Sequence, residues 1–261
     1  MPGPVAHAVE TATVAWLVVG APLAGRLRYR ALAMPGPGTD RSAFYRRTLA
    51  RQWLLTGVVV LAVLASGVAP GDIGLAVHLR AALSLAPEVA ELVVVALLVA
   101  LVLRRQARRR PDRAWAERLL RPVAALLPRT APERRAFAVL AVTAGITEEV
   151  LYRGIVTLWF AQTWPWLGLG GALAASSVAF GLAHSYQGRA GMLLTGGAGY
   201  ALGVMYAATG SLLVPMLVHA FIDLRVLLVL PSCAAPAPAL TSGFVQAMGY
   251  RPVSAEGPPS T

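Results

Sequence analysis

Apolar runs long enough to cross a lipid bilayer, separated by clusters of arginine, constrain this chain more than any other feature. A helix needs about 17–25 residues to span the hydrocarbon core, and only helices and closed barrels satisfy all their backbone groups there. Such runs are predicted over about 6–25, from Trp53 to about Ala69, and from Pro87 to Arg104. Four more follow in quick succession, at about 136–160, 168–186, 190–208 and 211–230. The expected fold class is all-α, a polytopic transmembrane helix bundle of about seven to eight spans. Composition agrees: 57% of residues are apolar and only 13% charged, against roughly a quarter charged in soluble domains.

All 23 basic residues are arginine, and against 12 acids they leave a net charge of +11. Their distribution argues against a nucleic-acid partner. Seven arginines fall in residues 25–52 and eleven in 104–135, between apolar runs, which is how cytoplasmic loops are marked. That predicts a multi-pass protein of the cell (plasma) membrane with its N-terminus outside. The connections at 70–86 and 161–167 are poor in arginine, and Trp164 and Trp166 suit an interfacial belt. The first run has no basic stretch before it, so a cleaved signal peptide is the weaker expectation.

A short interfacial helix is expected in the middle of 70–86. The segment "AWAERLLRPVAALL" reads either as an amphipathic helix along the headgroups or as a solvated linker. Three parts are expected: N-terminal spans and Arg-rich loops over 1–134, a helical core over 135–230, and a tail over 231–261. The tail is rich in Pro, Ala and Ser and is expected to be disordered, with a partial helix around Phe244 as the alternative. Cys233 is the single cysteine, which rules out an internal disulfide and a thiolate zinc cluster. No internal repeat is evident, which disfavours inverted-repeat transporters.

Charges at membrane depth cost about 2.5–3.5 kcal/mol each on insertion scales. Those expected at depth are Glu148, Glu149, Arg153, His184, His219, Asp223 and Arg225, all in the last four runs. Glu149 and Arg153 are four apart, acid first, the spacing of a pair on one helical face. Glu148 points about 100° away, on a stripe with Ala141, Ala144, Gly145 and Tyr152 whose small residues leave room for a partner helix or a cavity. One glutamate is thus expected to be neutralised and the other free, and a free carboxylate in apolar surroundings suits a general base. Phe180 and His184 share a face, as do His219 and Asp223, whose acid is placed to contact or orient the imidazole.

Glu148, His184 and His219 lie on three separate helices. Converging, they would activate water directly or hold a metal with an open position. Taken singly, each feature has a plainer explanation. A membrane histidine often only packs, a Glu–Arg pair can be structural, Gly199-x-x-x-Gly203 suits close helix packing, and Arg225 can reach the surface. Structural pairing does not explain so many polar groups on different helices.

Read in order, "EEVLYR", "FGLAH" and "HAFID" have the forms E-E-x-x-x-R, F-x-x-x-H and H-x-x-x-D. Together they resemble the CPBP family of intramembrane proteases, also called the Abi or type II CAAX prenyl protease family, over roughly 135–228. The resemblance implies a membrane endopeptidase acting on membrane-associated peptides or proteins. It implies catalytic roles for Glu148, which activates water, for His184, which assists it, and for His219 with Asp223 at the carbonyl oxygen. Glu149, Arg153 and Phe180 would support them.

The resemblance leaves two chemistries open, a glutamate-type protease without metal and a metalloprotease with a divalent ion such as zinc held by Glu148, His184 and His219. The glutamate type is the preferred expectation. Asp223 departs from the family's commoner asparagine, and an ionised aspartate cannot donate to an oxyanion. The alternatives are a transporter, or a non-catalytic immunity-type membrane protein, using the same polar cavity. One tension remains in the spans. Glu148 is expected about 18 Å from the cytoplasmic end of its helix, which is deeper than His184 counted from Gly168.

Overall fold

The computed structural model describes residues 4–34, 40–109 and 121–229, and every regular element among them is helical. Helix α1 runs through 4–33 as Pro4–Ala15, a π-helical turn at Trp16–Gly20, and Ala21–Ala33. Helix α2 is Arg41–Ala65, α3 is Leu79–Ser84 and α4 is Ala86–Arg109. Helix α5 occupies 131–163, as Ala131–Glu149, a π-helical turn at Val150–Val156, and Thr157–Thr163. Helices α6, Gly168–Ala183, α7, Gly188–Thr209, α8, Leu213–Leu224, and α9, Val226–Val229, complete the fold. Met1–Pro231 form one compact unit.

Local chemistry sets the helix ends. The Asp40 side chain accepts from the Ala43 N–H at 3.0 Å and starts α2 well before the expected Trp53, so the arginines of "RSAFYRRTLARQ" lie on the helix rather than in a loop. Thr130 and Glu133 form a capping box with Pro132 in the first turn, which starts α5 at Ala131 rather than 136. Gly188 at φ +79° and Gly210 at φ +63° take the left-handed conformations that end the turn before α7 and close α7 itself. The connection after α2 holds a 3₁₀ turn at Pro70–Ile73 and the short helix α3, in keeping with the short helix expected there. Residues 114–120 of the candidate amphipathic segment lie outside the described residues, as do Cys233 and the rest of the tail over 231–261. The remainder of that segment holds a 3₁₀ helix at Arg121–Leu126.

Three helical stretches, His7–Ala33, Arg41–Ala65 and Pro165–Ala183, are long and apolar enough to cross a membrane. The distribution of side chains is that of a membrane protein. Leu54, Leu61, Leu193 and Leu194 are 68%, 70%, 78% and 75% exposed, whereas Glu149, Arg153 and Thr147 are buried. An outward apolar surface of this extent needs lipid or a partner to cover it. One expectation is corrected here. Buried ionisable residues are not confined to the last four runs, because Glu10 in α1 is buried with neither carboxylate oxygen hydrogen-bonded.

The length of α5 resolves the tension in depth. The turn at 164–167 joins α5 to α6. Glu148 lies 15 residues before Thr163 and His184 lies 16 after Gly168, so both stand about 22–24 Å from that turn at ~1.5 Å per residue. The expected error was one of span edges: α5 extends beyond both limits predicted for it.

Close helix approaches bring the polar groups inward. A Cβ on Gly145 of α5 would lie 2.7 Å from Ala220 N and 2.9 Å from Ala220 Cβ of α8. Gly181 of α6 meets the backbone of α7 at Met192 and Gly196 in the same way. The Val150–Val156 turn loosens the α-helical ladder, and the Tyr152 carbonyl accepts from Thr157 Oγ1 at 3.0 Å and Ser176 Oγ at 2.5 Å. Gly145→Ala should therefore destabilise the detergent-solubilised protein by about 1–3 kcal/mol. Gly197→Ala, where a Cβ meets nothing within 4 Å, should be neutral or stabilising by up to about 1 kcal/mol. Thermal unfolding of the two variants side by side checks the order.

Candidate active site

Glu148 and Glu149 end the first α-helical piece of α5 and point to different neighbours. Glu149 is wholly buried and forms a 3.1 Å ion pair with Arg153 Nη1, itself 1% exposed, as the i, i+4 spacing predicts. The same oxygen, Oε1, accepts from His219 Nδ1 of α8 at 2.7 Å. Arg153 Nε donates to the Gly199 carbonyl of α7 at 3.2 Å, and the guanidinium lies over the Phe180 ring at 4.3 Å. A Cβ at Gly199 would collide with Arg153 Nη2 and Phe180. That glycine does more than admit a neighbouring helix, because it makes the seat for the arginine.

His184 ends α6. Its Nδ1 lies 2.9 Å from the Phe180 carbonyl, which can only accept, so Nδ1 carries the proton and Nε2 presents a lone pair. Glu149 Oε1 accepts the Nδ1–H of His219 and orients that ring. Both Nε2 atoms face Glu148 Oε2, at 3.8 Å from His184 and 4.0 Å from His219. Asp223 Oδ2 lies 3.8 Å from His219 Nε2. Phe180 packs between these groups, with its ring 4.6 Å from that of His184, 5.8 Å from His219 and 5.1 Å from Tyr152. Beyond His184, Tyr186 lies 5.8 Å away and packs on Tyr29 at 5.4 Å, so α1 contributes an aromatic wall.

The structure thus brings Glu148, His184, His219 and Asp223 to one place, with Glu149, Arg153 and Phe180 behind them. Asp223 contacts His219 Nε2 at 3.8 Å, as the four-residue spacing allows, while the hydrogen bond that orients the ring is the one from Nδ1 to Glu149. Glu148 has a neutral partner that the sequence did not point to: its Oε1 accepts from Gln52 Nε2 of α2 at 3.0 Å. Nothing in the local sequence marks Gln52, which is a neutral residue in the turn before an apolar run. The signal available was its place at the end of the segment "TLARQ", on a helix that starts earlier than its apolar run.

The candidate metal set Glu148, His184 and His219 stands wider than ligand spacing in this structure. Ligand atoms of a tetrahedral zinc site with ~2.0–2.1 Å bonds lie roughly 3.3 Å apart, closer than the 3.8 and 4.0 Å found between Glu148 Oε2 and the two imidazoles. Among the described residues, no group of three or more His, Cys, Asp and Glu side chains is spaced to hold a metal ion.

The buried ion pair makes a sharp stability prediction. Arg153→Met leaves the Glu149 charge without its cation and should cost about 3–5 kcal/mol. Adding Glu149→Gln to it removes the stranded charge and should restore a large part of that loss. Thermal or denaturant unfolding of the single and double variants measures both.

Residues 132–225, a little over a third of the chain, match the family described as Rce1-like, type II CAAX prenyl endopeptidase. No curated protein and no solved structure matches the chain. All three motifs, and every residue just described at the site except Gln52, Tyr29 and their helices, fall inside the matched segment. On that match, the helical core at 132–225 is similar to the type II CAAX prenyl endopeptidase, Rce1-like, family.

Proposed function

We propose that this protein is an intramembrane endopeptidase that hydrolyses membrane-associated peptides or proteins with water activated by Glu148. The observation that carries the proposal is the convergence of Glu148 Oε2 with two imidazole Nε2 atoms, at 3.8 and 4.0 Å. A water within about 2.8 Å of the carboxylate and of one imidazole bridges separations of that size. The match of residues 132–225 to a peptidase family favours hydrolysis over proton-coupled transport and over a non-catalytic immunity role.

In the proposed reaction Glu148 takes a proton from the water, with His184 Nε2 accepting its other hydrogen and orienting it. The hydroxide oxygen bonds to the scissile carbonyl carbon, and the carbonyl π electrons move onto oxygen. His219, protonated on both nitrogens, donates Nε2–H to that oxyanion while Glu149 and the ionised Asp223 hold the imidazolium. Glu148 then returns its proton to the amide nitrogen as the C–N bond breaks, leaving a new carboxyl and a new amino terminus. Asp223 in this scheme stabilises His219 rather than the oxyanion, which accommodates an acid where the family commonly has an amide.

The same proposal places the chain in the plasma membrane with about seven to eight spans, the Arg-rich segments cytoplasmic and the N-terminus outside. Residues 135–230 carry the chemistry, and 1–134 supply flanking spans and part of the site wall. Replacing Glu148 with Gln should lower turnover by about 10²–10⁴-fold without changing the melting temperature. Mass-spectrometric mapping of peptide termini in membranes from cells making either form tests this, and termini appearing equally with both forms would defeat the proposal.

A further inference from the structure

We propose that Gln52, on α2 and outside the family-matched segment, is a positioning residue for Glu148. It fixes one carboxylate oxygen so that the other faces both imidazoles. The inference rests on the peptidase reading above and extends the site to a helix that the three motifs do not include.

A glutamate side chain ends in a torsion with broad, roughly two-fold freedom, so an unanchored carboxylate does not keep one oxygen aimed at a partner. Here Gln52 Nε2 holds Oε1 at 3.0 Å, and Oε2 is the oxygen that lies 3.8 Å from His184 and 4.0 Å from His219. The amide has one sense in which it can do this. Reversed, it would set its own oxygen against a carboxylate, acceptor on acceptor, and that Oε1 is buried without a partner of its own.

The choice of an amide also matters. Glu149 is held by the cation of Arg153, which neutralises it. A neutral donor orients Glu148 while leaving its charge available to take a proton. The next residue supports the same contact: Trp53 Nε1 donates to Thr143 Oγ1 at 3.3 Å, and Tyr45 packs on Phe137 at 6.0 Å. Helix α2 is therefore keyed to α5 at three heights, and Gln52 is the one that reaches the site.

The test uses the full-length protein in detergent with three forms: wild type, Q52M and W53F. Q52M keeps an unbranched side chain without a donor, and W53F removes only the neighbouring helix-to-helix bond. The first readout is cleavage of a substrate identified through its Glu148-dependent termini. Q52M should lower kcat about 10- to 100-fold with KM within about twofold, while W53F changes melting temperature more than kcat. The second readout needs no substrate. Labelling of Glu148 by an apolar carbodiimide, mapped by mass spectrometry across pH, should have its midpoint displaced by about half a unit or more in Q52M and not in W53F. Equal kcat and equal labelling midpoints in Q52M and W53F would overturn the proposal. If wild type produces no Glu148-dependent termini, the peptidase reading is what fails. Labelling then decides Gln52 alone: a displaced midpoint supports its hold on Glu148, and an undisplaced one overturns it.

Discussion

The buried carboxylate of Glu149 is the group around which the rest of this bundle is arranged. With no exposure to solvent it requires a cation and hydrogen bonds in place of water, and it draws them from two helices: Arg153 from its own and His219 from α8. Arg153 in turn needs a seat, which α7 supplies as the Gly199 carbonyl and a missing Cβ, and α6 supplies as the face of Phe180. Four helices are thus tied to one charge. The small residues that permit it, Gly145 against Ala220 and Gly181 against α7, follow from the same need, because side chains of this length pair across helices only when the backbones come close.

Two adjacent glutamates with about 100° between them on a helix face different surroundings. Glu149 looks into the packed interior and is locked. Glu148 looks towards the ends of α6 and α8, where the two imidazoles, each fixed through Nδ1, turn Nε2 to the same oxygen. The ring orientations are set by groups that take no part in the proposed bond-breaking, a backbone carbonyl and the locked carboxylate. In this way the structural pair and the proposed reactive group are linked: the charge that organises the fold also orients one of the histidines. The π-helical turn at Val150–Val156 begins where that task ends, and hydroxyls of Thr157 and Ser176 meet the Tyr152 carbonyl there.

The exterior of the bundle is apolar, and polar groups are enclosed within a largely apolar interior. In lipid, burying Leu against Leu gives little drive for association, so the specificity of packing falls to small residues and polar contacts. That is the pattern between α5, α6, α7 and α8. Helix α2 joins α5 through side-chain hydrogen bonds at Gln52 and Trp53 and through an aromatic contact at Tyr45.

What the sequence determined by itself was everything fixed by spacing within one helix or by composition over many residues. An all-helical apolar chain, the Glu149–Arg153 pair and the shared face of Phe180 and His184 follow from a 3.6-residue period and from the cost of charge in lipid. The three motifs, too, lie along single helices. Tertiary structure alone decided the contacts between helices: Glu149 on His219 Nδ1, Gln52 on Glu148, Glu10 buried in α1, and two histidine Nε2 atoms facing one oxygen of Glu148. Helix edges differ: the caps at Asp40 and Thr130 that lengthened α2 and α5 beyond their apolar runs are local signals along one helix. The physical reason is common to the contacts between helices. Periodicity reports which way a side chain points from its own axis, whereas partners on other helices depend on crossing, depth and rotation, which no local pattern encodes.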